Sequence, residues 1–398
     1  MKALSGRAVA ITESATLAVS AKARELAAAG VDMVDFGVGE PDFDTPAPIK
    51  RAAIEAIDRG FTKYTASSGI LDLRRAIAAK LLRDQGLQYD PSQIVVSNGG
   101  KHALFNAICA ICEEGDEVIL PSPYWVSYLE MIKLVGAKAV IVEGSERNRF
   151  LITAEQLQKA ITPRTKLLIL NSPSNPTGML YSERELRALA EVAVQHDLYV
   201  LSDEIYEKLV FGVARHFSIA SFGDEIFKRT VVVNGVSKTY AMTGWRIGYA
   251  AGPKAIMAAI GNVQSHTTSN SNSIAQKAAL FAISGDERPV QEMREEFDRR
   301  RRVVVQRLNA IPNVRCVEPQ GAFYAFPNVS GLYGKRFGGK VVKNSVEFAL
   351  VCLEQAHTAL VPGEAFGADA YVRISYATSM DTIQKGMDRL EKLARSAE

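Results

Sequence analysis

Cysteine is scarce in this chain: four in 398 residues, too few for a disulfide scaffold at this length. Two of them, Cys109 and Cys112, form a C-x-x-C inside the apolar run Leu104 to Cys112. No second C-x-x-C and no H-x-x-x-H accompanies it, so core thiols are the better reading than a redox or zinc pair. The five histidines are scattered, none at ligand spacing from another, and no metal is expected. There is no run of about 18 apolar residues and no apolar h-region near the N-terminus. Excess charge is missing too, since 47 basic and 44 acidic residues leave +3, which gives no case for nucleic-acid or membrane partners. The densest basic run, Arg299 to Arg302, shares a helical pattern with Met293, Phe297, Val304 and Leu308 and reads as a solvated helix face. These absences leave a reduced, soluble, cytoplasmic protein as the expectation.

What is present is an α/β grammar. Strand-like apolar runs (Ile94–Ser97, Val118–Ser122, Ala139–Val142, Lys166–Asn171, Tyr199–Asp203, Thr230–Gly235, Ile247–Gly252) alternate with amphipathic helical stretches. That alternation predicts a doubly wound, mostly parallel sheet. Beyond about Gly285 the pattern changes to a long charged helix and shorter half-buried strands, including Val314–Val317, Ala322–Phe326 and Tyr371–Tyr376. A smaller α+β domain follows from this. The expected division is residues 1–45 as an arm and part of the small domain, 46–288 as the large domain, and 289–398 as the small C-terminal domain.

Chemistry-bearing residues gather at strand ends. Asn98-Gly99-Gly100, Asn171 to Gly178, Asp203-Glu204 and Ser237-Lys238 each follow a predicted strand, and in open α/β sheets ligands bind at that edge. A lysine there can be desolvated into a nucleophile or Schiff-base former. Gly99 and Gly100 allow close backbone approach to a phosphate, and the helix opening at Lys101 directs its free N–H groups toward one. With Ser237 and Arg246 they describe a phosphate cup. Asp203 closes an apolar strand, where only a cationic partner would keep it ionised. A Schiff-base lysine, an acid for a ring nitrogen and a phosphate cup together are what pyridoxal 5'-phosphate requires.

Three long motifs carry a resemblance: Asn171-Ser-Pro-Ser-Asn175-Pro176-Thr-Gly178, Ser202-Asp203-Glu204-Ile-Tyr206, and Ser237-Lys238 through Arg246-Ile-Gly. The chain resembles the class I aminotransferases, pyridoxal-phosphate-dependent enzymes of fold type I, from about Ser14 to Leu393. Gly39-Glu-Pro-Asp-Phe-Asp-Thr-Pro46, Asn98-Gly-Gly-Lys101-His and Pro123-Tyr-Trp125-Val-Ser-Tyr128 bring it nearest to the bacterial and cyanobacterial aspartate aminotransferase subgroup. The resemblance implies a ping-pong aspartate:2-oxoglutarate aminotransferase with a Schiff base on Lys238, which also moves the substrate proton. It implies Asp203 on the pyridine nitrogen, Tyr206 and Asn175 on the phenolic oxygen, and Trp125 stacked on the ring. Gly99, Gly100, Lys101 through its backbone, Ser237 and Arg246 would hold the phosphate. Tyr64 would reach the phosphate of a neighbouring subunit, implying a homodimer with shared sites. Arg373, with Asn175 and the Gly39 backbone, would take the substrate α-carboxylate.

One departure bears on the substrate. Dicarboxylate-specific relatives supply an arginine after the phosphate arginine, but residues 247–287 hold no arginine. In the subgroup resembled, the lysine of Asn-Gly-Gly-Lys does that work, which points to Lys101, with Thr16 or Ser14 beside it. The rivals keep the fold and change the substrate to prephenate, an aromatic amino acid or alanine. Prephenate-accepting relatives use an additional N-terminal arginine, and none lies between Arg7 and Arg24. More distant rivals are a carbon–sulfur lyase, a decarboxylase, or a binding module that retains the fold.

Overall fold

The computed structural model describes residues 2–398. Its centre is a seven-stranded sheet of β1 (Ile94–Ser97), β2 (Glu117–Ser122), β3 (Lys138–Glu143), β4 (Thr165–Asn171), β5 (Tyr199–Asp203), β6 (Thr230–Gly235) and β7 (Gly248–Ala251). The order is β1-β7-β6-β5-β4-β2-β3, and only β7 runs antiparallel to its neighbours. Valine, isoleucine and leucine dominate the central strands because helices cover both faces and leave no solvated side. Parallel pairing brings the carboxyl ends of six strands to one edge, and register aligns Asn171 with Asp203 there. At the same edge Ser97 and Gly235 both face Gly248.

A smaller antiparallel sheet of β8 (Tyr324–Ala325), β9 (Val361–Pro362) and β10 (Val372–Ser375) packs alongside. Val34–Asp35 pairs in parallel with Thr358–Ala359, and Val34 and Phe36 share a core with Phe297, Phe323, Ile374 and Met387. The N-terminal segment is therefore built into the C-terminal core. Helix α1 (Ala15–Ala28) precedes that strand, and helix α2 (Gly100–Ile111) follows β1. Among the described residues no helix is long and apolar enough to cross a membrane.

One expectation needs correction. The strand expected at Val314–Val317 reduces to one bridge, Arg315 with Asn328. The side chain of Asn309 takes both backbone groups of Cys316, its amide donating to the carbonyl at 3.0 Å and its oxygen accepting from the N–H at 2.9 Å. With those groups satisfied, no ladder is needed. The polar, neutral stretch around residues 265–273 contains the end of one helix (Lys254–Thr267) and the start of another (Ser273–Ser284). Gln264 and Gln276 lie fully buried in them, and Gln264 donates to the carbonyls of Ser67 and Val96 at 2.6 and 2.8 Å.

Candidate active site

A cavity of about 380 Å³ opens at the carboxyl edge of the large sheet, between it and the smaller sheet. Lys238, three residues past β6, forms part of its wall, with its amine donating to the Gly39 carbonyl at 2.5 Å. Burial pushes this ammonium down to about 8, aided by the cations of Arg246 and Arg373 and opposed by Glu40 and Asp203. Asp203, at the end of β5, is 4% exposed. Its carboxylate accepts from the Tyr128 hydroxyl at 2.5 Å and from the Ile205 N–H at 3.2 Å. Burial nevertheless raises its pKa to about 6. In water's absence the carboxylate is poorly solvated, so a facing cation would be strongly held.

The phosphate-cup residues converge. Gly99 caps α2 at φ +87°, and a Cβ there would lie 2.3 Å from an Arg246 nitrogen. Only glycine lets that guanidinium lie against the helix start. Arg246 itself takes the left-handed conformation, φ 58°, which costs about 1–2 kcal/mol for a residue with a side chain. It donates to the Thr243 carbonyl at 2.9 Å. Gly100, Lys101, Ser237 and Arg246 all line the cavity. Lys101 also places its ammonium 4.9 Å from the centre of the Trp125 ring, and burial, then Arg246, lowers its pKa. Ser14 and Thr16 of the N-terminal segment stand on the same wall.

Arg373, on β10, is 1% exposed. It donates to the Asn175 side chain at 3.0 Å and to the Gly37 carbonyl at 2.7 Å, while its Nε has no protein partner. The Gly37 carbonyl accepts from Arg373 and the Gly39 carbonyl from Lys238. Tyr206 is fully buried beside them, its hydroxyl 2.9 Å from that of Tyr324. Tyr64 is not among the cavity residues: it is 92% exposed on the surface.

Several cavity residues escaped the sequence reading. Tyr128 stood in a motif and Tyr324 in a strand without a role of their own, and the fold shows their hydroxyls on Asp203 and Tyr206. Glu40 accepts from Thr243 at 2.6 Å and ties the Gly39 loop to the Arg246 loop. Arg24 stands on the cavity wall one turn beyond Ser20 on α1. Glu204, Glu207 and His216 also come together, their ligand atoms within 4.8 Å. Their demands are met internally: Lys80 pairs with Glu207, and Ser202 and Ser218 donate to Glu204 at 2.8 and 2.6 Å.

An amine with lowered pKa, a buried carboxylate, a helix start and a buried guanidinium thus meet around one cavity. The family model for aminotransferase class I and II matches residues 31–390. The chain belongs to that family. It is 52% identical to an aspartate aminotransferase of Geobacillus stearothermophilus over 98% of each chain. It is 49% identical to an aspartate/prephenate aminotransferase of Cereibacter sphaeroides, again over 98% of each. The crystal structure of the aspartate aminotransferase from Rhizobium meliloti superposes with a TM-score of 0.97 at 42% identity, covering all of both chains.

Proposed function

We propose that the chain is an aspartate:2-oxoglutarate aminotransferase dependent on pyridoxal 5'-phosphate, working in two half-reactions. The observation that carries this reading is the convergence of Lys238, Asp203 and Arg373 on one cavity. The donor set fits the cofactor: an amine half-deprotonated near pH 8, a buried carboxylate in need of a cation, and a guanidinium packed on a glycine at a helix start. Lys238 would hold the aldehyde, Asp203 the pyridine nitrogen, Tyr206 and Asn175 the phenolic oxygen, and Trp125 the ring face. Gly99, Gly100, the Lys101 backbone, Ser237 and Arg246 would hold the phosphate. When bound, the cofactor supplies an electron-withdrawing ring that accepts the electron pair left when the substrate Cα loses its proton.

The protein's own work is positional and protolytic. Arg373 grips the substrate α-carboxylate with a planar fork, its free Nε adding a donor. Once substrate occupies the site, the Lys238 amine would take the proton from Cα and return it to the carbon on the far side of the transferred nitrogen, two atoms away. Asp203 would stay anionic when a protonated ring nitrogen faces it. The walls exclude water, which strengthens each of these contacts.

The chain acts as a homodimer in which Tyr64 of one copy completes the phosphate site of the other. Its 92% exposure supports that reading. Residues 289–398 together with 1–45 form the smaller domain, and 46–288 the larger; the pairing of Val34–Asp35 with Thr358–Ala359 supports this assignment.

Lys101 recognises the distal carboxylate, since its ammonium lies at the cavity wall over Trp125 with no carboxylate partner among the described residues. Lys101→Ala is expected to lower kcat/KM for aspartate about 30–100-fold, the worth of a charged hydrogen bond, and for alanine less than about threefold. Steady-state kinetics with both donors decide it: equal losses would sink the assignment. A second reading, acceptance of prephenate, is favoured by Arg24 on the cavity wall, a further cation for a larger dicarboxylate.

A further inference from the structure

Tyr324 has no role in the chemistry above, yet it touches three groups that do. It is 1% exposed and lies on the cavity wall. Its hydroxyl is 2.9 Å from that of Tyr206. Its ring faces the Arg373 guanidinium at 4.6 Å, within cation–π range. A Cβ on Gly39 would sit 3.1 Å from the same hydroxyl, so the loop that receives Lys238 lies directly against it.

Two hydroxyls joined by one hydrogen bond leave one proton pointing elsewhere. Neither hydroxyl has a second acceptor among the described residues. When a ligand acceptor faces Tyr206, its proton goes to that ligand, and Tyr324 must then be the donor within the pair. A donated bond polarises the receiving hydroxyl and strengthens its own donation. The same side chain thereby supports the carboxylate fork with its face and aims a proton with its tip.

We propose that Tyr324 is a positioning residue: its ring holds Arg373 flat for the substrate α-carboxylate, and its hydroxyl orients the Tyr206 proton toward the cofactor's phenolic oxygen. This rests on the function proposed above. The bland alternative is a core aromatic whose hydroxyl merely finds a partner.

Two variants of the holoenzyme separate the possibilities. Tyr324→Phe keeps the ring and removes the hydroxyl. Weaker donation by Tyr206 leaves more negative charge on the phenolic oxygen, so the neighbouring lysine-bound nitrogen keeps its proton to higher pH. The midpoint of the visible absorption titration is expected to rise by about 0.3 pH unit. The dissociation constant for maleate, a dicarboxylate that cannot transaminate, should stay within about twofold. Tyr324→Leu removes both features, and maleate binding should weaken about fivefold besides. An unmoved midpoint in Tyr324→Phe, or native maleate affinity in Tyr324→Leu, overturns the proposal while leaving the aminotransferase reading in place. No visible lysine-bound absorption in the unaltered protein would overturn both.

Discussion

Replacing Lys238 with alanine is expected to lower turnover by at least about 10⁴-fold, because the change removes a proton-transfer group and the covalent anchor together. The reason lies in where the lysine sits. Burial at the end of β6 disfavours its charged form, and the flanking Arg246 and Arg373 add to that, bringing the pKa to about 8. At pH 7 about a tenth of such amines are free base, against roughly four in ten thousand for an ordinary lysine. The sign follows: reactivity of the apoprotein amine rises with pH and is half-maximal near 8, falling away below. Rate measurements with an amine-selective aldehyde across pH 6–10, read at Lys238 by mass spectrometry, check the first part. Single-turnover kinetics of Lys238→Ala check the second. A midpoint above pH 10 would show the amine to be an ordinary solvated one, and a variant within tenfold of native turnover would remove it from the chemistry.

Arg373→Leu is expected to cost on the order of 10³-fold in kcat/KM for every amino acid, as truncating one partner of a buried, hydrogen-bonded charge pair does. The guanidinium is held before substrate arrives. Asn175 and the Gly37 carbonyl fix one edge, and Tyr324 supports the face. Little ordering is left to occur on binding, so the loss should appear in substrate recognition more than in stability. The control is a simple alkylamine without a carboxylate, whose slow half-reaction should change less than about threefold. If the alkylamine and aspartate lose equally, Arg373 is a structural residue and the fork must be sought elsewhere.

Much of the catalytic edge was legible because strand and punctuation coincide. Ile94–Ser97, Tyr199–Asp203 and Thr230–Gly235 are β-branched and apolar runs closed by polar or glycine residues, and each strand has those bounds. Parallel topology then carried Asp203 and Lys238 to one side. Arg373 was legible only through motif likeness, since an arginine inside a strand of alternating character reads as a solvated charge. Tyr128, Tyr324 and Arg24 were not legible. Tyr128 gains its direction by packing against the end of β5, and Tyr324 and Arg24 from the small sheet and the N-terminal helix at the cavity wall; no local pattern encodes either.

The most direct measurement is the amino-acid half-reaction of the purified holoenzyme, following loss of the lysine-bound absorption in a stopped-flow instrument. Aspartate and glutamate should discharge the band rapidly, alanine and phenylalanine far more slowly, and adding 2-oxoglutarate should restore it. Fast discharge by neutral or aromatic donors, or a band that no oxo acid restores, would contradict the dicarboxylate aminotransferase reading.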